Sequence, residues 1–248
     1  MFLTFRLRLW VVFLCLLAGV GAGGVAAVPS AAPLTLRLLA GKEPFLPLSP
    51  VRFAANREIA EGSIRLDPLV PGDVEIDGRI LTFRPAEPLR PGARYDVHVL
   101  VRDRTGREEA MSVPIQVDGA GLLWVYVELD KGTHWVHVFH GDERVRRMLA
   151  SGGRPGDETP EGTFRIQNRG YHFWSQKYGE GAYYWVRIFG NYLFHSVPVD
   201  REGRIIEEEA RRLGCPASHG CIRLRMDDAR WFYENVPDGT WVVIDRRS

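Results

Sequence analysis

The chain carries almost no net charge: 32 Lys and Arg stand against 31 Asp and Glu, leaving +1 with histidine neutral. No run of like charges forms a tail, so the basic excess that would attract nucleic acid is missing, and nucleic acid is not an expected partner. Internal repeats and low-complexity tracts are missing too, which leaves an ordinary soluble globular composition. Cysteine is scarce, at three positions: Cys15, Cys215 and Cys221. The apolar run from Leu9 to Val20 is shorter than the roughly 20 residues a helix needs to cross a bilayer. What is present is 248 residues, 45% hydrophobic and 25% charged, enough for one large core or two small ones.

Arg6 and Arg8 precede that apolar run, and a small-residue stretch ending in Val25–Ala27 follows it. This is the layout of a secretory signal over residues 1–27, with an uncleaved membrane anchor as the alternative. Leu14 before Cys15 is bulky, which argues against a lipid-modified N-terminus. Cleavage would remove two arginines, giving +1 − 2 = −1, and would remove Cys15. The protein is then expected outside the cytoplasm, in the cell wall, in the periplasm or secreted, touching a membrane only through an uncleaved N-terminal segment. Its two remaining cysteines would be an even pair, by default a disulfide in that compartment.

From residue 34 to 118 the chain reads as short strands between turn signals, "VPGD", "IDGR", "LRPG" and "DRTG". In "RYDVHVLVRD", Tyr95, Val97, Val99 and Val101 alternate with Asp96, His98, Leu100 and Arg102, the period of a strand with one inner face. The regular spacing predicts a small β-sandwich. The segment "LTFRPAEPLRPGARYDVHVLVRDRTGRE" also resembles bacterial Ig-like modules. No catalytic constellation lies here, so a spacer or binding role is expected.

"DGAG" (118–121) is the candidate linker, and residues 122–246 read as a second domain. "LLWVYVEL", "THWVHVF" and "RVRRMLAS" predict a β-meander, and "GTFRI", "AYYWVRIF", "NYLFHSV" and "WVVID" predict further strands. Ala229, Phe232, Tyr233 and Val236 fall at i, i+3, i+4 and i+7, predicting one clear helix capped by Asp227 or Asp228. The fold class expected is mainly β.

"HWVHVFH" looks at first like a metal cluster, but on a strand His134 and His140 share one face while His137 points the other way, and nothing nearby completes a tetrahedral set. "LGCPASHGCIRL" places three ligand types, Cys215, His219 and Cys221, in one loop, yet structural zinc usually takes two ligand pairs from separate segments. A nucleophilic cysteine needs a base and backbone donors for an oxyanion. Gly220 allows a tight turn before Cys221, and a helix starting a few residues later would depress the thiol pKa. His219 is adjacent in sequence and its side chain is expected to diverge, which makes His195, in "LFHSVP", the better base. The separation of Cys215 and Cys221, 221 − 215 = 6 positions with Pro216 and Gly220 between them, also admits a reversible disulfide that would block the nucleophile.

"SHGCIRL" preceded by "FHSVP" resembles the signature of the L,D-transpeptidase catalytic domain, YkuD type; "SGGRPGDETPEGTFRI" and "VPDGTWVVI" resemble further segments of that family. The resemblance implies Cys221 as nucleophile and His195 as general base and then acid, with Ser196 orienting the imidazole through its carbonyl. It implies an oxyanion pocket shaped by His219, Gly220 and Cys221, and substrate contacts from Ser218, Arg223, Tyr184 and Trp185, with a structural salt bridge as the alternative for Arg223 and core packing for Tyr184 and Trp185. No metal and no cofactor are implied. The substrates implied are peptidoglycan stem peptides, joined through a Cys thioester, and carbapenem-type β-lactams are implied as inhibitors. The alternatives are a carboxypeptidase-type hydrolase of the same fold and a non-enzymatic wall-binding module. One departure from the family is the length between His195 and Ser218, where "DREGRIIEEEARR" reads as a charged surface insertion.

Overall fold

The computed structural model describes residues 32–247 except 41, 42 and 131; the signal expected over residues 1–27, and Cys15, lie outside them. The described residues form sixteen strands and two helices, and no helix among them is long and apolar enough to cross a membrane. Leu34 to Ser248 pack as one compact unit.

The first seven strands are β1 (Leu36–Leu38), β2 (Val51–Ala55), β3 (Ile59–Asp67), β4 (Gly72–Asp77), β5 (Ile80–Pro85), β6 (Arg94–Asp103) and β7 (Glu108–Gln116). They make a four-stranded sheet, β1-β2-β5-β4, and a three-stranded sheet, β3-β6-β7. Both inner faces feed one core: Phe53 and Leu81 from the first sheet, Leu66, Val97, Val99 and Val101 from the second. The alternation on β6 is what turns Tyr95, Val97, Val99 and Val101 inward, while Asp96, Leu100 and Arg102 stay exposed. At the "DRTG" turn the Asp103 carboxylate accepts from the Thr105 hydroxyl and from the backbone N–H of Thr105 and Arg107, at 2.6, 2.8 and 3.0 Å.

The remaining elements are β8 (Leu123–Asp130), β9 (His134–His140), β10 (Glu143–Ser151), β11 (Gly162–Arg165), β12 (Arg169–Ser175), β13 (Glu180–Phe189), β14 (Tyr192–Ser196), α1 (Glu207–Arg211), β15 (Ile222–Leu224), α2 (Met226–Asn235) and β16 (Trp241–Arg247). The strands join in one sheet, ordered β11-β16-β8-β9-β10-β15-β14-β13-β12. The expected meander is β8-β9-β10, antiparallel throughout. The sheet curls on itself: Phe164 of β11 stacks on Phe189 of β13 with ring centroids 4.3 Å apart, and Arg187 donates its N–H to the Asn168 carbonyl at 2.8 Å. Inside the curl lies the second core, where Phe232 of α2 meets Phe194 of β14 at 4.4 Å among Val125, Val136, Met148 and Ile222.

Two local expectations are corrected. The helix starts at Met226 and its N-cap is Arg225, with no side-chain cap; Asp227 and Asp228 lie in the first turn, and Asp228 pairs with Arg146 at 2.7 Å. As expected it starts a few residues after Cys221, with Ile222–Leu224 entering the sheet as β15 in between. The charged insertion contains a second, short helix, α1, which the sequence pattern did not suggest because no apolar stripe marks it.

The segment before β8 is tied down at both ends. Asp118 exchanges backbone and side-chain hydrogen bonds with Phe45 at 2.8 and 3.0 Å, and the Trp124 indole donates to the Gly141 carbonyl at 2.7 Å. Leu46 and Leu48 from the first region are buried against Trp124, Tyr126, Phe139 and Val243 of the second.

Candidate active site

β14 and β15 run parallel, with Phe194 opposite Ile222 and His195 opposite Arg223. Because side chains alternate along a strand, the residues that bury Phe194, Ile222 and Leu224 in the core turn His195, Cys221 and Arg223 to the other face. Two segments more than twenty positions apart are thereby brought side by side.

His195 is buried, and its Nδ1 lies 2.6 Å from the Ser196 carbonyl, so Nδ1 carries the proton and donates it, leaving Nε2 as the basic nitrogen. The Ser196 side chain is itself fixed: its hydroxyl donates to the Val197 carbonyl at 2.8 Å and accepts from the Tyr183 N–H at 3.0 Å. The edge of one ring meets the face of the other where Phe173 packs on His195, centroids 5.5 Å apart. Burial, then the charge of Arg223, pushes the imidazole down to about 4 against a weaker opposing pull from the Ser196 carbonyl.

Burial also pushes the Cys221 thiol up, and the Leu193 N–H and Arg223 only partly oppose it. The expected depression of the thiol is therefore corrected. Strand β15 separates the cysteine from α2, so the helix dipole, which acts within about one turn, does not reach it. At rest the pair is a neutral thiol and a neutral imidazole. The thiol sits 3.5 Å from the Asn191 carbonyl, at the β13–β14 turn.

The loop before Cys221 is held by hydrogen bonds to the end of β10. Ala217 and Ser218 both donate to the Gly152 carbonyl at 3.0 Å, and Arg154 donates to the Ser218 carbonyl at 3.0 Å. Ser218 does not face outward as a substrate contact: its hydroxyl donates to the Cys221 carbonyl at 2.6 Å and accepts from the Gly220 N–H at 3.0 Å. Gly220 has φ +110, and a Cβ there would stand 2.6 Å from the Tyr192 ring, so only glycine fits. Since its N–H is engaged by Ser218, Gly220 serves the turn. His219 is half-buried beneath Tyr178, rings stacked 3.9 Å apart.

The other expected contacts divide. Arg223 is 3% exposed and forms ion pairs with Glu180 at 2.9 Å and with Glu209, so it is a structural cation here and not one open to a substrate carboxylate. Tyr184 is partly buried and packs against the core toward α2, its ring 5.8 Å from Tyr233. Trp185 lies over Gly170, where a Cβ would come within 2.4 Å of the indole, and below the Arg187 guanidinium.

Sequence reasoning missed several supports. His134 accepts from the Gly152 N–H at 2.8 Å, and the Thr159 hydroxyl accepts from Gly153 at 2.9 Å while donating to the Gly220 carbonyl at 2.8 Å. Glu209 comes from the insertion, so that segment is part of the site's frame as well as of the surface. Only Thr159 had a signal, its place in the "DETPEG" stretch. Among the described residues no three metal-type ligands gather, and His137 is occupied by Glu128 at 3.2 Å. Cys215 is exposed, and both it and Cys221 are free thiols.

Comparison with known proteins adds the decisive observation: residues 124–244 match the YkuD family model, described as the L,D-transpeptidase catalytic domain. These residues are a YkuD domain. Over 126 residues the chain is 42% identical to YciB of Bacillus subtilis (strain 168), whose name as an L,D-transpeptidase is provisional. That match takes in 48% of this chain and 65% of the relative, so the chain spans just under two thirds of its length. Among solved structures, an L,D-transpeptidase from Mycobacterium smegmatis is 19% identical, covering 86% of this chain and all of that one, with a TM-score of 0.42. LdtMt1, solved in complex with imipenem, is 18% identical with a TM-score of 0.42, covering 86% of this chain and 99% of its own. The assignment of the YkuD domain rests on the sequence match.

Proposed function

We propose that this chain is an exported cysteine acyltransferase acting on peptidoglycan stem peptides, its first β-sandwich an Ig-like spacer and its YkuD domain the catalyst. Cys221 attacks the carbonyl between the L-centre of a diamino acid and a terminal D-Ala, while His195 Nε2 takes the thiol proton. The C–N bond of the tetrahedral intermediate then breaks, and the departing amine of D-Ala receives that proton from His195. The backbone N–H groups of His219 and Cys221, on either side of Gly220, receive the oxyanion. An amine of a second stem next attacks the thioester and gives its proton to His195; the C–S bond then breaks and that proton passes to the departing Cys221 sulfur, restoring the thiol and the neutral imidazole.

The observation that supports this reading best is the hydrogen bond from His195 Nδ1 to the Ser196 carbonyl, which fixes the tautomer that a base beside Cys221 requires. Carbapenem acylation tests it. The protein should gain the mass of one opened carbapenem, and Cys221→Ala should gain none while keeping its fold. Digestion of peptidoglycan after incubation, with and without an added acceptor amine, then reads the products: crosslinked stems identify a transferase and trimmed stems a hydrolase.

A further inference from the structure

Arg223 stands two positions after Cys221 and opposite His195 in the parallel register, almost wholly out of water. A desolvated guanidinium needs partners, and one carboxylate would neutralise it. Here two converge: Glu180, the first residue of β13, at 2.9 Å, and Glu209 of α1. They come from segments 43 and 14 positions away along the chain. Glu209 also holds Arg212, which is largely exposed, at 3.0 Å. The Ala217 carbonyl accepts from Arg223 at 3.4 Å, and Arg223 Nε is buried without a partner.

We propose that Glu180 and Glu209 are positioning residues that clamp the Arg223 guanidinium against the catalytic strands and screen Cys221 and His195 from its charge. The inference rests on Cys221 being the nucleophile. The charged groups that act on Cys221 are Arg223, Glu180 and Arg187, and Arg223 is the one that acts on His195. With both carboxylates in place the Arg223 guanidinium is compensated by Glu180 and by Glu209, which the exposed Arg212 also contacts, so the half-buried thiol gains little from ionising until a base takes its proton. With one carboxylate neutralised, Arg223 faces the thiol less compensated, and the thiolate is favoured. The insertion that lengthens the segment between His195 and Ser218 thus supplies Glu209, one of the two anions that hold Arg223, and bears on the cysteine only through that guanidinium.

Alkylation of Cys221 by iodoacetamide across pH, read by intact mass, tests this without any substrate. The full chain is used in a Cys215→Ser background, because Cys215 is exposed and would also react. Glu180→Gln should move the alkylation midpoint down by about half a unit to one unit, making reaction at neutral pH about three- to tenfold faster. Glu209→Gln should move it the same way by less, and Glu180→Asp should return it toward the parent. Glu209 lies on a partly exposed helix, so Glu209→Gln serves as the test if Glu180→Gln unfolds. The proposal is overturned if the folded variants give the parent's profile, or a shift to higher pH, or if only the thermal midpoint falls. Failure of the parent to be acylated by a carbapenem would instead remove the nucleophile assignment, while the alkylation shift still reads the clamp.

Discussion

Arg84 of β5 reaches both carboxylate oxygens of Asp245 on β16 through its Nε, at 3.1 Å each. Asp245 is 1% exposed, and the Tyr126 hydroxyl adds a third contact at 3.2 Å. The first sandwich therefore neutralises a carboxylate buried in the closing strand of the YkuD domain. Removing Arg84 leaves Asp245 with only the Arg52 guanidinium at 3.5 Å and the Tyr126 hydroxyl, so Arg84→Ala should cost about 1.5–3 kcal/mol of stability, the size of a lost hydrogen bond to a charged group. Deleting the chain up to residue 118 should cost more, since it also uncovers Trp124, Tyr126 and Phe139. Urea midpoints of the three proteins check this, and an unchanged midpoint for Arg84→Ala would show the ion pair to be incidental.

His195→Ala should slow carbapenem acylation by about 10² to 10⁴, the usual size of a lost general base. His219→Ala should slow it less, because that ring stacks under Tyr178 and makes its contact there. Stopped-flow acylation rates rank the two; the reverse order would reassign the base.

The pH dependence follows from the buried imidazole. His195 is lowered to about 4, so its basic form persists well below the ordinary histidine range and is lost only as pH falls through about 4. Acylation should thus show its acid limb near pH 4, with no inflection near 6.5. The same depression has a sign for stability: between the ordinary value and about 4 the unfolded chain binds the extra proton, so the fold weakens as pH drops through that window. Replacing His195 with Gln should flatten that part of a thermal-midpoint curve.

Gly220→Ala should abolish acylation and lower the thermal midpoint. The added methyl meets the Tyr192 ring at 2.6 Å, and φ +110 strains any residue with a Cβ. Tyr192→Ala in the same chain removes the clash but not the strain, so rescue should be partial. Full rescue would show that the backbone conformation is not required.

The amino-acid sequence by itself determined the kinds of chemistry available and most of the strands. Alternation at Tyr95–Val101 placed β6, the i, i+3, i+4 spacing from Ala229 placed α2, and the motif around Cys221 with His195 upstream pointed to the pair proposed to react. These features are legible because each is a local pattern, read from neighbours a few residues apart. Only the tertiary structure decided that Arg223 is held by Glu180 and Glu209, that Gly152 leans on His134, and that Tyr184 packs against the core. It also reversed the direction expected for the Cys221 thiol. Burial and charge act over a few ångströms, and the groups within that distance of Cys221 come from β13, β14 and β15, with Glu209 of α1 reaching it through Arg223; no spacing along the chain reveals which of them meet.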